Sequence, residues 1–192
     1  MGKGRLEAFS DGVLAIIITI MVLELRPPTE ATLEALGALT PIFLCYALSF
    51  TNVAIYWNNH HHLFQAVRVV DGRVLWANML LLFCLSLFPF GTAWMGEHLT
   101  DRDKLPIAVY GVILISAALS YTALVITLVR IQPDRTLADA IGRDRKGFAS
   151  LVCYAIAIPL AWFLPVAAFA LYVAVALLWL VPDRRIERQL QR

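Results

Sequence analysis

Apolar positions along this chain gather into six runs, each closed by charged or turn-forming residues. They lie at about residues 9–25, 36–57, 74–95, 106–129, 148–163 and 166–181. A helix needs roughly 20 apolar residues to cross the hydrocarbon of a bilayer, so the pattern predicts an all-α integral membrane protein of six transmembrane helices. The second run continues past Trp57 as a polar tail through His60, His61 and His62. The last two runs are joined by "IPLAWFLPVAA", where Pro159 and Pro165 leave two arrangements open, a helical hairpin or one long kinked helix. No internal repeat or low-complexity stretch breaks the pattern. The segments between runs are too short for a soluble catalytic domain, and residues 1–192 read as a single six-helix domain.

Composition agrees with the pattern. Of the 192 residues, 60% are hydrophobic and 16% charged, and the mean hydropathy is +0.72, whereas a soluble domain is about a quarter charged. The lipid bilayer is therefore the first partner expected. A net charge of +2 is too small to mark a nucleic-acid binder, and none is expected. The placement of charge is more informative than its sum. With six crossings, 13 of the 16 lysines and arginines fall on the side that holds both termini, and only Arg26, Arg102 and Lys104 fall on the other. The positive-inside rule then places both termini in the cytoplasm. Five crossings would carry Arg184, Arg185, Arg188 and Arg192 outside, against that rule. The basic segments "RIQPDRTLADAIGRDRK" and "PDRRIERQLQR" read as topology signals that also attract anionic headgroups. Cys45, Cys84 and Cys153 each sit inside an apolar run without a CxxC pair, as small core residues do. The first run has a basic start but ends "LELRPP" without a small-residue cleavage site, so it is expected to be a mature helix rather than a signal peptide.

That first run, "RLEAFSDGVLAIIITIMVLEL", carries a polar head that an anchor does not need. An acid at the membrane edge is costly and is a functional candidate. On a helical wheel at about 100° per residue with Ile16 at zero, Gly12, Thr19, Ile20 and Leu23 fall within roughly 60° of it, while Asp11 falls near 220°. The wheel thus separates an apolar stripe with one hydroxyl from an acid directed at neighbouring helices. Lipid contact or ordinary packing also accounts for such a stripe, with Thr19 bonding back to the Ala15 carbonyl. Trp57, His60 and His61 are spaced i, i+3 and i+4 and can share one face of the second helix.

"RLEAFSDGVLAIIIT" resembles the Arg-x-x-x-Phe-Ser-Asp opening of the endosomal and lysosomal potassium channel family, transmembrane protein 175 type, including its short prokaryotic relatives. "YWNNHHHLF" at residues 56–64 is similar to the family's Trp-x-x-His-His signature, and "NMLLLFCLSLFPFGTAW" at 78–94 to its third helix. His62 departs from the family's pair of histidines and is expected to be exposed.

The resemblance implies one six-helix unit per subunit, a homotetramer in a prokaryotic plasma membrane, and a central pore lined by the first helix. Carried over by position, Ile16 is the main constriction, Thr19 a hydroxyl layer and Leu23 a second apolar ring, with Ile20 beside them. Arg5, Phe9, Ser10 and Asp11 then join Trp57, His60 and His61 in a packed, hydrogen-bonded network at the cytoplasmic end. The permeant ion implied is potassium, passed with modest preference over other monovalent cations such as sodium. No Thr-Val-Gly-Tyr-Gly filter is present, so selectivity falls to pore radius, the Thr19 hydroxyls and apolar rings that gate by dewetting. Glu24 would concentrate cations at the outer end, or else sit as an interfacial acid near Arg26.

Two rival classes stay in view. A secondary transporter for a metal or other small cation would show ionisable residues at mid-membrane. The helix cores instead offer Ser49, Thr51, Asn52, Asn78, Ser86, Ser116, Ser120, Thr122 and Thr127. An enzyme or haem protein would show a nucleophile or ligand set spread over several helices, and the sequence shows only the clustered histidines. The expectation is a cation channel, not an enzyme, with no cofactor and no metal site.

Overall fold

The computed structural model describes residues 2–134, 136–142 and 144–180, and these are helical apart from short connections. The first apolar run forms α1, Lys3–Leu23, which starts six residues earlier than the apolar pattern alone suggests. Its polar head is therefore helical. Pro27 and Pro28 cannot continue the ladder, and α1 ends just before them at its cap Glu24. The second run is divided. Thr32 caps a short α2, Leu33–Ala38, by accepting from the Ala35 amide at 3.1 Å. Pro41 then sits in the first turn of α3, Thr40–Gln65, where its missing N–H costs nothing. Leu36, expected within the second span, belongs to α2 instead.

Asp71 opens α4, Gly72–Ser86, by accepting from the amides of Arg73 and Val74 at 3.0 and 3.1 Å. The helix breaks at Leu87 because Pro89 has no N–H to give, and resumes as α5, Phe88–His98. Together these two cover the third run. The fourth is α6, Lys104–Ile131, 28 residues long and about 42 Å at 1.5 Å per residue. A short α7, Thr136–Ile141, precedes α8, Arg145–Leu160, and α9, Pro165–Leu180. Pro159 lies in the last turn of α8 and Pro165 opens α9. The start of α8 meets the end of α9, where Trp179 Nε1 donates to Ser150 Oγ at 2.8 Å, so the two form an antiparallel hairpin rather than one kinked helix. The last expected residue of the sixth span, Val181, and the basic residues Arg135, Arg143, Arg184, Arg185, Arg188 and Arg192 lie outside the described residues.

The long helix α6 is central, packing on α4, α5, α8 and α9. Its Gly111 gives the approach room: a Cβ there would collide with the Tyr172 hydroxyl, which donates to the Ile107 carbonyl at 3.1 Å. At one end of the bundle, Gln132 ties the α3–α4 connection to α6. Its Oε1 accepts from the Arg68 and Val69 amides at 2.9 and 3.3 Å, its Nε2 donates to the Val69 carbonyl at 3.1 Å, and Arg68 pairs with Asp134 at 3.0 Å. By contrast α1 stands at the edge, with its broad contacts on α3, α4 and α5.

Among the described residues, four helical stretches are long and apolar enough to cross a membrane: Lys3–Leu23, Thr40–Gln65, Gly72–His98 and Lys104–Ile131. The chain is a multi-pass membrane protein. Both α8 and α9 have 16 residues, about 24 Å of helix against a hydrocarbon core of ~30 Å.

Candidate pore helix and its polar anchor

Two opposite surfaces divide α1. Leu6, Ser10, Leu14, Ile17 and Met21 recur every three or four residues and are buried against α3, α4 and α5. The stripe picked out by the wheel lies on the other side, and no element among the described residues covers it. Ile16 is 57% exposed and Leu23 78%. Ile20 and Thr19 are exposed as well, and a Cβ added at Gly12 would meet nothing within 4 Å. Thr19 does bond back along its own helix, but to the Ile16 carbonyl at 2.9 Å rather than to Ala15. The hydroxyl thereby stays on the stripe and its carbonyl partner is one of the stripe's own residues.

The buried face is held at two levels. Near the N-terminal end a hydrogen-bonded chain crosses three helices. His60 Nε2 on α3 donates to Asn78 Oδ1 on α4 at 2.9 Å, Asn78 Nδ2 donates to Ser10 Oγ on α1 at 2.9 Å, and Ser10 donates to the Leu6 carbonyl at 2.9 Å. His60, Asn78 and Ser10 are each 2% exposed or less. Every donor in this chain has an acceptor, as apolar surroundings require. The His60 ring also stacks on Phe64, 4.4 Å between centroids. Nearer the other end, Thr92 on α5 is 2.6 Å from Ser49 Oγ on α3 and 2.6 Å from the Phe88 carbonyl, and Ser49 is 2.8 Å from the Tyr110 hydroxyl on α6. Thr92 Oγ1 also lies 3.8 Å from Met21 Sδ on α1. Thus α1 rests on polar chains at Ser10 and, more weakly, at Met21.

The expected single network separates into three parts. Ser10 and His60 belong to the buried chain. Asp11 is not buried; it accepts from Trp57 Nε1 at 3.0 Å at the exposed flank between α1 and α3. His61 joins that flank, stacked on Trp57 at 5.8 Å with ring planes 13° apart, and it accepts from Gln65 Nε2 at 2.9 Å. His60 and His61 therefore do not share the face that meets α1, because successive residues point about 100° apart. Arg5 and Phe9 join neither group. Both are exposed, and at 11 and seven residues before Ile16 both fall within about 20° of it on the wheel. They belong to the uncovered stripe. His62 is half-buried rather than exposed.

Asn78 is the member of the buried hydrogen-bonded chain that was not grouped with the motif residues. Its signal was visible as an amide within the apolar run "ANMLLLF", since a polar side chain facing a bundle interior needs a partner on another helix.

With this geometry in view, comparison with known proteins is informative. The family model for the endosomal/lysosomal potassium channel TMEM175 matches residues 5–89, which takes in α1 from Arg5 onward, Trp57, His60 and Asn78. A potassium channel of Chryseobacterium sp. (strain P1-3) is 49% identical over all of this chain and 99% of its own length. A potassium channel of Chamaesiphon minutus is 32% identical over 91% of this chain and 93% of its own. The crystal structure of a lysosomal potassium-selective channel TMEM175 homolog from Chamaesiphon minutus superposes with a TM-score of 0.82 at 30% identity, covering 93% of this chain and 96% of that one. The chain therefore belongs to the endosomal/lysosomal potassium channel family, TMEM175, and is an ion channel rather than an enzyme.

Proposed function

We propose that the chain conducts potassium through a homotetrameric pore lined by α1, with modest preference over sodium. In this reading Ile16 forms the main constriction, Thr19 a hydroxyl layer beside it, and Ile20 and Leu23 apolar rings toward the far end. All six apolar runs cross the membrane, the α8–α9 hairpin supplying the last two, and both termini face the cytoplasm of a prokaryotic cell. The channel needs no cofactor; monovalent cations are what it binds in passing.

The observation that carries the reading is the uncovered stripe. In a lipid-facing helix the exposed side has no use for Gly12, Thr19 and an arginine, and in this chain those residues share the face of Ile16 and Leu23. Four such stripes facing one axis would make a narrow apolar conduit, closed to ions where it dewets and opened by small changes in radius. The buried chain through Ser10, Asn78 and His60 would set the angle at which α1 meets that axis, and the Asp11–Trp57 bond would steady it from the flank.

The test is potassium flux from liposomes holding the purified protein, wild type against Ile16→Asn. Passive flux that rises when Ile16 becomes polar supports the pore. Flux indifferent to Ile16 refutes the assignment, and obligatory coupling to a second ion would make the protein a transporter.

A further inference from the structure

Arg5 is the one member of the Arg-x-x-x-Phe-Ser-Asp group whose place in the fold is at odds with the usual electrostatics of a helix end. The positive end of a helix dipole favours acids, yet the first turn of α1 carries no acid and holds Lys3 and Arg5. Lys3 is engaged, donating from Nζ to the Val67 carbonyl at 3.1 Å. Arg5 is exposed, and among the described residues its guanidinium has no hydrogen-bond or ion-pair partner. It shares the azimuth of Ile16 and stands 11 residues below it, about 16 Å along the axis. Its charge fits the positive-inside distribution, but among the described residues no carboxylate pairs with it, although Glu7 and Asp11 follow on the same helix. On the azimuth of Ile16 the guanidinium is therefore presented to what lies outside the subunit.

We propose that Arg5 is a residue that controls ion entry: four copies form a cationic ring at the N-terminal mouth, which depletes permeant cations there and weakens conduction from that end. The inference rests on the pore reading above, since it needs α1 to face the axis. Taken alone and set at about 10 Å from the axis, four unit charges screened over a Debye length of ~8 Å at 0.15 M salt would lower the local concentration of a monovalent cation about two-fold. At ~0.01 M, where the Debye length is ~30 Å, the depletion grows to about seven-fold. At ~1 M it vanishes.

Single-channel currents in planar bilayers with symmetric KCl test this, with full-length wild type, Arg5→Gln, Arg5→Lys and Ile16→Asn. The expected result is that Arg5→Gln raises the current entering from the Arg5 end about two-fold at 0.15 M and more at low salt. The current from the other end should change less, the reversal potential under a potassium–sodium gradient should stay put, and the difference should disappear at 1 M. Arg5→Lys should keep the wild-type asymmetry. Conductance of Arg5→Gln equal to wild type at every salt concentration overturns the proposal, as does a change that persists at 1 M. If Ile16→Asn alters conductance while Arg5→Gln does not, only the ring is lost; if neither does, the pore assignment falls first. Should Arg5→Gln fail to assemble, wild type and Arg5→Lys carry the test by the salt dependence of their own rectification. Salt-independent rectification in both, or a failure of both variants to assemble, makes Arg5 a contact between subunits and overturns the ring.

Discussion

Replacing Asn78 by leucine tests the buried anchor of α1. Leucine has the branched outline of asparagine with a larger volume and suits the apolar surroundings, so the change removes hydrogen bonds without leaving a cavity. Two bonds of 2.9 Å disappear, one to Ser10 and one from His60. Interhelical side-chain bonds in membrane proteins average about 0.6 kcal/mol, with a ceiling near 1.7. The larger cost falls on His60, whose ring N–H is left buried without an acceptor, at about 1–3 kcal/mol. Ser10 keeps its bond to the Leu6 carbonyl and adds little. The expected loss is about 2–4 kcal/mol. Ser10→Ala should cost less, about 1–2 kcal/mol, because it orphans a single amide N–H. The two changes act on one shared bond, so the double variant should fall short of the sum by about 1 kcal/mol. Reversible unfolding in mixed micelles of sodium dodecyl sulfate measures all three. Additive losses, or a wild-type midpoint for Asn78→Leu, would refute the claim that this chain holds α1. A channel consequence follows from the same variants: α1 freed at Ser10 should show an altered open fraction, read from single-channel records.

Other sites give outcomes of different kinds. Gly111→Ala would drive a methyl group into the Tyr172 hydroxyl and should destabilise the fold by about 1–3 kcal/mol, as overpacking does, seen as a lower melting temperature in detergent. Thr92→Val removes the middle of the Ser49–Thr92–Phe88 chain and should cost about 1–2 kcal/mol; an unchanged midpoint would mean that this chain supports nothing. Trp57→Phe deletes the exposed bond to Asp11 and should cost under about 1 kcal/mol of stability while shifting the open fraction, as Asp11→Ala should. If assembly and conductance are both unchanged in these two variants, the flank has no part in gating.

The fold was legible wherever a single signal decided it. Length and hydropathy place the bodies of α1, α3, α4 with α5, and α6, whereas Pro159 and Pro165 left a hairpin and one kinked helix both open until the packing of α8 on α9 decided for the hairpin. What was missed needed two signals at once. Leu36 reads as part of a long apolar run, and only the Thr32 cap with Pro41 separates α2 from α3. Pro89 lies inside an otherwise unbroken run, so the break at Leu87 follows from backbone chemistry that hydropathy does not weigh. At the site, the wheel correctly set Ile16, Thr19, Ile20 and Leu23 apart from Asp11, because one helix decides that geometry by itself. Extended toward the N-terminus the same wheel sets Arg5 and Phe9 on the stripe, but motif adjacency grouped them with Ser10 and Asp11. Asn78 was visible as a polar residue in a helix core, but its link to Ser10 and His60 was not, because a partner on another helix becomes visible only once the helices are packed.

The claim that α1 faces an aqueous path is tested most directly by cysteine scanning along it. The scan requires a background in which Cys45, Cys84 and Cys153 are replaced, the first two being buried and the third half-buried. Single cysteines at 14 to 23 are then treated with silver ion or a cationic methanethiosulfonate during potassium current recording. The account predicts block at Ile16→Cys, Thr19→Cys and Leu23→Cys, and no effect at Leu14→Cys, Ile17→Cys and Met21→Cys. Block on the second set with protection of the first, or reactivity without a helical period, would contradict it.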